Sequence, residues 1–240
     1  MPTTTTVTVG GSPMDILIEA PARKSPGPAI LLMYHRGGFD KFTHSLLVRL
    51  SAAGYVVATP DVSHRTSRDI RMEDRKQYFK DSEVVADMAA TLEVLKARHD
   101  VDKDRLIILG HCMGGRMTLL GAGRLNAFRA AVVFYGGGCH VSWGNEAQTP
   151  LDTLDGIRCP VIGFFGDKDT NPSPEQVNVI DAELTKHGVV HTFHRYPDVG
   201  HGFQNPDHGL PPAELAATDD SWAKTFQFLE SVGLAPAPVA

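Results

Sequence analysis

Apolar residues in this chain gather in short unbroken runs, separated by longer stretches with helical spacing. Ala29-Ile30-Leu31-Leu32-Met33 is apolar throughout, the pattern of a strand covered on both faces. Leu106-Ile107-Ile108-Leu109 and the runs at 130–134 and 161–165 repeat it. Further strands are predicted at 55–59 and 189–195, and a short hairpin at 6–9 and 14–19 turns at Gly10-Gly11. Helices are predicted over 43–53, 82–99, 113–120 and 214–232. A fifth opens at Ser173-Pro174-Glu175-Gln176, where a serine N-cap, proline at N1 and glutamine at N3 make a capping box. Strands alternating with crossover helices predict an α/β fold. Its form is a three-layer sandwich around a mostly parallel sheet of about seven or eight strands. The whole chain is needed to complete that sheet, so 1–240 reads as a single domain with loose ends at 1–6 and 235–240.

In such a sheet, sites form beyond the carboxyl ends of strands. Four polar groups fall there: His35-Arg36, Cys112, the pair Asp167 and Asp169, and His201. Cys112 stands at the tip of Gly110-His111-Cys112-Met113-Gly114-Gly115, a strand, sharp turn and helix. That is the shape of a nucleophile elbow, with cysteine in place of the usual serine. Nucleophile, acid and histidine also follow in the chain order of α/β-hydrolase triads. His201 is the best general base; His208 is a competitor in the same loop, and His194 lies inside a strand. Asp169 is favoured over Asp167 to orient the imidazole. The backbone N–H groups of Met113 and Arg36 are the candidate oxyanion hole. A free thiol with pKa ~8.5 is only a few per cent ionised at neutral pH, so a partner histidine and the helix N-terminus are needed to favour the thiolate.

These motifs resemble the dienelactone hydrolase family. Its pattern is a Gly-x-Cys-x-Gly-Gly elbow, a Phe-Gly-x-x-Asp loop and a Gly-His-x-Phe loop. The matching residues are 110–115, Phe165-Gly166-Asp167-Lys168-Asp169 and Gly200-His201-Gly202-Phe203. Thr59-Pro60-Asp61 followed by His64-Arg65 is similar to a further family segment, and the resemblance runs from about Met14 to Leu229. It implies an α/β-hydrolase fold and a cytoplasmic, cofactor-free enzyme that opens lactone or ester bonds through an acyl-cysteine. The namesake acts on dienelactones from aromatic breakdown. Two positions depart from the pattern. His35 stands at or near the place of a family glutamate that helps switch the cysteine into its reactive state. Asn205 stands where the family keeps a substrate-gripping arginine. Two expectations follow for His35: it polarises the substrate, or Cys112 already pairs with His201 at rest. Candidate substrate-binding residues are His35, Tyr34, Arg75 and Trp143, with Arg68 and Arg71 as alternatives to Arg75.

Bulk properties act mainly by exclusion. At 42% hydrophobic and 21% charged residues, with net charge −5, the chain is globular in composition and has no basic face for nucleic acid. No basic segment followed by an apolar stretch suggests a membrane partner or signal peptide. Three cysteines are too few for a disulfide framework and fit a reducing cytoplasm. His35, His64, His111, Cys112, Cys139 and His140 lack metal-site spacing, so neither metal nor cofactor is expected. The predicted partner is a small lactone or ester, bound by a monomer or homodimer. Rival readings are a broad carboxylesterase, a dehalogenase-like enzyme on the same scaffold, and a binding protein without catalysis.

Overall fold

A computed structural model of the chain describes residues 2–22 and 25–237. Strands β1 (Thr3–Val9) and β2 (Ser12–Glu19) form the opening hairpin, followed by β3 (Gly27–Met33), helix α1 (Lys41–Ala52) and β4 (Val56–Pro60). Next come α2 (Asp81–Lys96), β5 (Val101–His111), α3 (Met113–Arg124) and β6 (Ala130–Phe134). The chain continues through β7 (Val161–Gly166), α4 (Pro174–Lys186), β8 (His191–Tyr196) and α5 (Pro212–Ser231). The sheet order is β1-β2-β4-β3-β5-β6-β7-β8, with β2 antiparallel to both its neighbours and every later pairing parallel. This is the three-layer α/β sandwich that the apolar runs predict, with eight strands in its sheet.

Successive residues of a strand face opposite ways, and β5 shows how the layers follow. Leu106 and Ile108 join a core with Met88, Met117 and Ile180 of α2, α3 and α4. Ile107 and Leu109 join another with Leu46 of α1 and Trp222 of α5. Residues 27–33 are all buried, which accounts for their unbroken apolar run. The capping box at Ser173 and Gln176 forms as predicted.

Three differences from the sequence reading share a cause. Residues 3–6, expected to be loose, pair with 15–18 as an edge strand rich in β-branched threonine. β5 begins at Val101 rather than 106, because its first half is polar and partly exposed. β8 begins at His191 rather than 189 and is only half-buried, as the other edge of the sheet. Edge and end positions carry little hydrophobic signal. Of the tail at 235–240, residues 238–240 lie outside the described residues.

Helix α3 leaves the sheet against the backbone of its neighbours. A Cβ on Gly114 would collide with the carbonyl oxygen of Met33, and one on Gly110 with that of Gly114. Overpacking of this kind costs ~1–3 kcal/mol, and each kcal/mol lowers Tm by ~2–4 °C at this chain length. Gly114→Ala is therefore expected to lower Tm by roughly 2–12 °C in a circular-dichroism melt. An unchanged Tm would show that the turn relaxes freely.

Candidate active site

Beyond His111 the chain bends so sharply that Cys112 takes φ 55° and ψ −118° before α3 begins. A non-glycine residue held there costs ~1–3 kcal/mol, so its surroundings must over-determine it. Cys112 N–H donates to the Phe134 carbonyl on β6 at 3.0 Å, and its own carbonyl accepts from Gly115 and Arg116 N–H at 2.9 and 3.3 Å. His111 points the other way, stacked on Phe134 and bonded through Nε2 to Gln204 at 2.6 Å.

The two competing aspartates are separated by their partners. Asp167 accepts from Arg195 Nε at 2.7 Å. Asp169 is buried; its Oδ1 accepts Asn171 N–H at 2.8 Å, and its Oδ2 accepts His201 Nδ1–H at 2.7 Å. His201 Nε2 stands 3.0 Å from Cys112 Sγ. The Tyr135 ring meets the imidazole edge-on at 5.1 Å. Three separate loops thus bring Cys112, His201 and Asp169 into one relay, while His208 lies beside Asn205 instead.

Burial opposes a charged sulfur, yet the thiol of Cys112 is held below its ordinary value. The hydrogen bond and charge of His201 outweigh desolvation, aided by backbone hydrogen bonds from Met113 and Arg36. For His201, burial disfavours the cation, but the bonds to Asp169 and Cys112 prevail and raise its pKa to about 10. Both shifts favour the thiolate–imidazolium form of the pair. The two N–H groups expected to form the oxyanion hole converge on its sulfur.

His35 does not line the cavity over Cys112. Its Nε2 bonds to Asp40 Oδ2 at 2.8 Å, and Asp40 caps α1 by accepting Thr43 N–H at 2.9 Å. The bridge closes the 35–40 loop around Arg36. Burial raises the Asp40 carboxyl, but the hydrogen bond from His35 and that from Thr43 N–H outweigh it and hold its pKa below the ordinary value.

The cavity over Cys112 measures about 80 Å³ and is lined by Arg36, Lys76, Met113, Arg116, Gly137, Gly138, Trp143, Asn171 and His201. Trp143 is there as expected. Tyr34 is fully buried with its hydroxyl toward Asp61 at 3.4 Å. Arg75 is buried against Ile70 and Arg68 carbonyls and the Ser63 hydroxyl, so the neighbouring Lys76 takes the cavity position. Arg68 pairs with Asp61 and Arg71 with Asp74. Asn205 accepts Asp207 N–H as the cap of a short turn. Arg116 makes a two-pronged bond to Asp81 at 2.6 and 2.9 Å, and its guanidinium lies 3.8 Å from the centre of the Trp143 ring. Sequence spacing offered no signal for Lys76, Arg116 or Asn171, which converge only through the loops. Among the described residues, no group of three or more His, Cys, Asp or Glu could hold a metal ion.

Sheet and relay together define an α/β-hydrolase with a cysteine nucleophile. The chain belongs to the dienelactone hydrolase family, whose pattern matches residues 14–233. A Synechocystis protein named "Putative carboxymethylenebutenolidase" is 27% identical over 240 residues, covering 95% of this chain and 96% of that one. A Bradyrhizobium protein named "Probable 2-oxo-3-(5-oxofuran-2-ylidene)propanoate lactonase" is 26% identical over 84% of this chain and 83% of its own. The crystal structure of a "Putative Dienelactone Hydrolase" from Klebsiella pneumoniae superposes with TM-score 0.83 at 24% identity, covering 96% and 98% of the two chains. At that identity the likeness is one of fold. This chain is a family hydrolase of ester or lactone bonds with a Cys112-His201-Asp169 triad.

Two measurements check the site. Iodoacetamide should label Cys112 at lower pH than an ordinary thiol of pKa ~8.5, because its thiol is lowered by His201, which itself holds its proton up to about 10. Cys139 and Cys159, both pushed up to about 12 by burial, stay unlabelled, and His201→Ala shifts the labelling profile toward higher pH. Asp40→Ser keeps a good helix cap but removes the partner of His35. It should lower kcat by about tenfold with little change in KM, since loop placement matters most in the transition state.

Proposed function

We propose that this hydrolase acts on lactones and carboxylic esters that carry a second, anionic group. The 3.0 Å contact between His201 Nε2 and Cys112 Sγ, backed by Asp169 at 2.7 Å, carries the chemical part of the reading. The sulfur attacks the scissile carbonyl and a C–S bond forms. The developing oxyanion takes the N–H bonds of Arg36 and Met113 that the sulfur gives up. His201 passes its proton to the departing alkoxide as the C–O bond breaks, leaving a thioester. Neutral His201 then takes a proton from water, the hydroxide attacks, and the thiolate leaves as the acid is released. Asp169 holds the imidazole so that Nε2 faces the reaction throughout.

The anionic part rests on charge. Arg36 and Lys76 line the cavity, and no carboxylate side chain joins them there. The Arg36 guanidinium donates to the Glu73 backbone carbonyl at 2.8 Å. Arg116 is neutralised by Asp81. Names of two relatives describe carboxylate-bearing lactones, in line with this charge. The relay needs no residue from a second copy, so one chain of a single α/β-hydrolase domain suffices, whether monomer or homodimer. No helix among the described residues is long and apolar enough to cross a membrane. Three free thiols suit a reducing cytoplasm.

Incubation with an activated ester should give one acyl adduct by intact-protein mass spectrometry, absent in Cys112→Ala. Turnover by that variant would reject the mechanism. Lys76→Ala should raise KM about tenfold for a carboxylate-bearing substrate, the worth of one charged hydrogen bond. Neutral esters should change less than about twofold. An equal effect on both classes would remove the anionic reading while leaving hydrolysis intact.

A further inference from the structure

The cavity over Cys112, about 80 Å³, is small beside the ~300 Å³ at the lower end of small-molecule sites. A second cavity of about 220 Å³ adjoins it, walled by Cys139, Leu151, Pro172, Val179 and Ile180, with Gln176 and His140 at its edge. Gly138 borders both spaces. Its φ is +70°, and nothing lies within 4 Å of where a Cβ would stand. Gly138, shared by the two spaces, thus places no side chain between them.

This boundary is built into the fold. Arg116 Nε donates to the Gly138 carbonyl at 3.2 Å while its other nitrogens hold Asp81 and the Val141 carbonyl. Leu151 N–H donates to the Cys139 carbonyl at 3.1 Å. Burial pushes the Cys139 thiol up to about 12, so that wall stays neutral. At about 220 Å³ this cavity exceeds the roughly 150 Å³ that accepts a benzene ring.

Sheet order gives the second cavity its direction. Arg36 follows β3, on one side of the central strand β5 that ends at the nucleophile. Gly138 follows β6, and Pro172 follows β7, on the other side. His201, which protonates the leaving oxygen, is held by Asp169 of the same β7 loop. A substrate whose anionic group lies at Arg36 and Lys76 thus turns its leaving oxygen toward the second cavity.

We infer that the space beyond Gly138 is an apolar subsite for a hydrocarbon group on the alkoxy side of the scissile bond. Preferred substrates then carry a carboxylate on the acyl side and an alkyl or aryl group on the alkoxy side. This rests on the proposed reading of the site as an anion-accepting cysteine hydrolase.

Monoalkyl succinates from methyl to hexyl, followed by acid release in a pH-stat, test it. The wild-type kcat/KM should rise roughly three- to fourfold per methylene until the cavity is full, giving a hexyl-to-methyl ratio of at least about tenfold. Val179 is 49% exposed on α4, so Val179→Trp fills the cavity without disturbing the core. Its hexyl-to-methyl ratio should fall to within about twofold of one. Gly138→Asn, a residue that tolerates positive φ, should reduce the ratio in the same way. A flat wild-type series, or a ratio that neither variant changes, overturns the subsite while leaving hydrolysis of the methyl ester in place. Absence of turnover for every ester, with no adduct on Cys112, would instead overturn the underlying reading.

Discussion

The chemistry of this protein depends on keeping one cysteine in a backbone conformation that it would not choose. At φ 55° the Cys112 side chain is thrown clear of the sheet, and α3 starts directly behind it. Folding stabilises this with backbone alone: the Phe134 carbonyl beneath, two N–H groups of the first helical turn, and glycines where β3 and β6 pass. Each of those contacts needs the neighbouring strands in register. The eight-stranded sheet is thus the means by which a strained residue is held, and the strain is what exposes the sulfur.

Exposure alone gives a weak nucleophile. The relay supplies the charge separation, and its members stabilise one another: His201 favours the thiolate, and the thiolate with Asp169 favours the imidazolium. Desolvation works against both ions, so the pair is strong only while complete. His35 stands apart from it. Where the family glutamate would act on the cysteine, this chain directs a histidine to Asp40 at the start of α1. The sulfur stands 3.0 Å from His201 Nε2 and makes no contact with His35. The bond between His35 and Asp40 spans the loop that carries the Arg36 N–H.

How much of this was legible in the sequence depended on burial. Of the strands buried on both faces, 130–134 declared itself with no error in extent, and β3 and β7 were short by one or two residues. The polar half of β5 and the threonine edge strand did not, because hydrophobic spacing reports only burial. In the site, Cys112, Asp169 and His201 were legible because motif and fold position agreed. Arg75 and Lys76 were not separable, since a short turn of the chain decides which of two adjacent cations turns inward. Asp40 was invisible as the partner of His35, although it is only five residues away. Pairing across a tight loop leaves no periodic trace.

The two departures from the family pattern gain a common sense from the sheet order. An arginine four residues past the catalytic histidine would bring its charge in from the β8 loop, on the same side as the leaving oxygen. Here Asn205 is turned to backbone capping in that loop, and the cations of the cavity come from the opposite side, after β3 and β4. With the positive charge relocated across β5, neither Arg nor Lys lines the second cavity, and Arg116 nearby is paired with Asp81. An apolar wall at Leu151, Pro172 and Ile180 is compatible with that arrangement and would be costly beside an unpaired arginine. In the proposed reading, the loss of one arginine and the presence of a second cavity are therefore a single change in how the substrate is oriented.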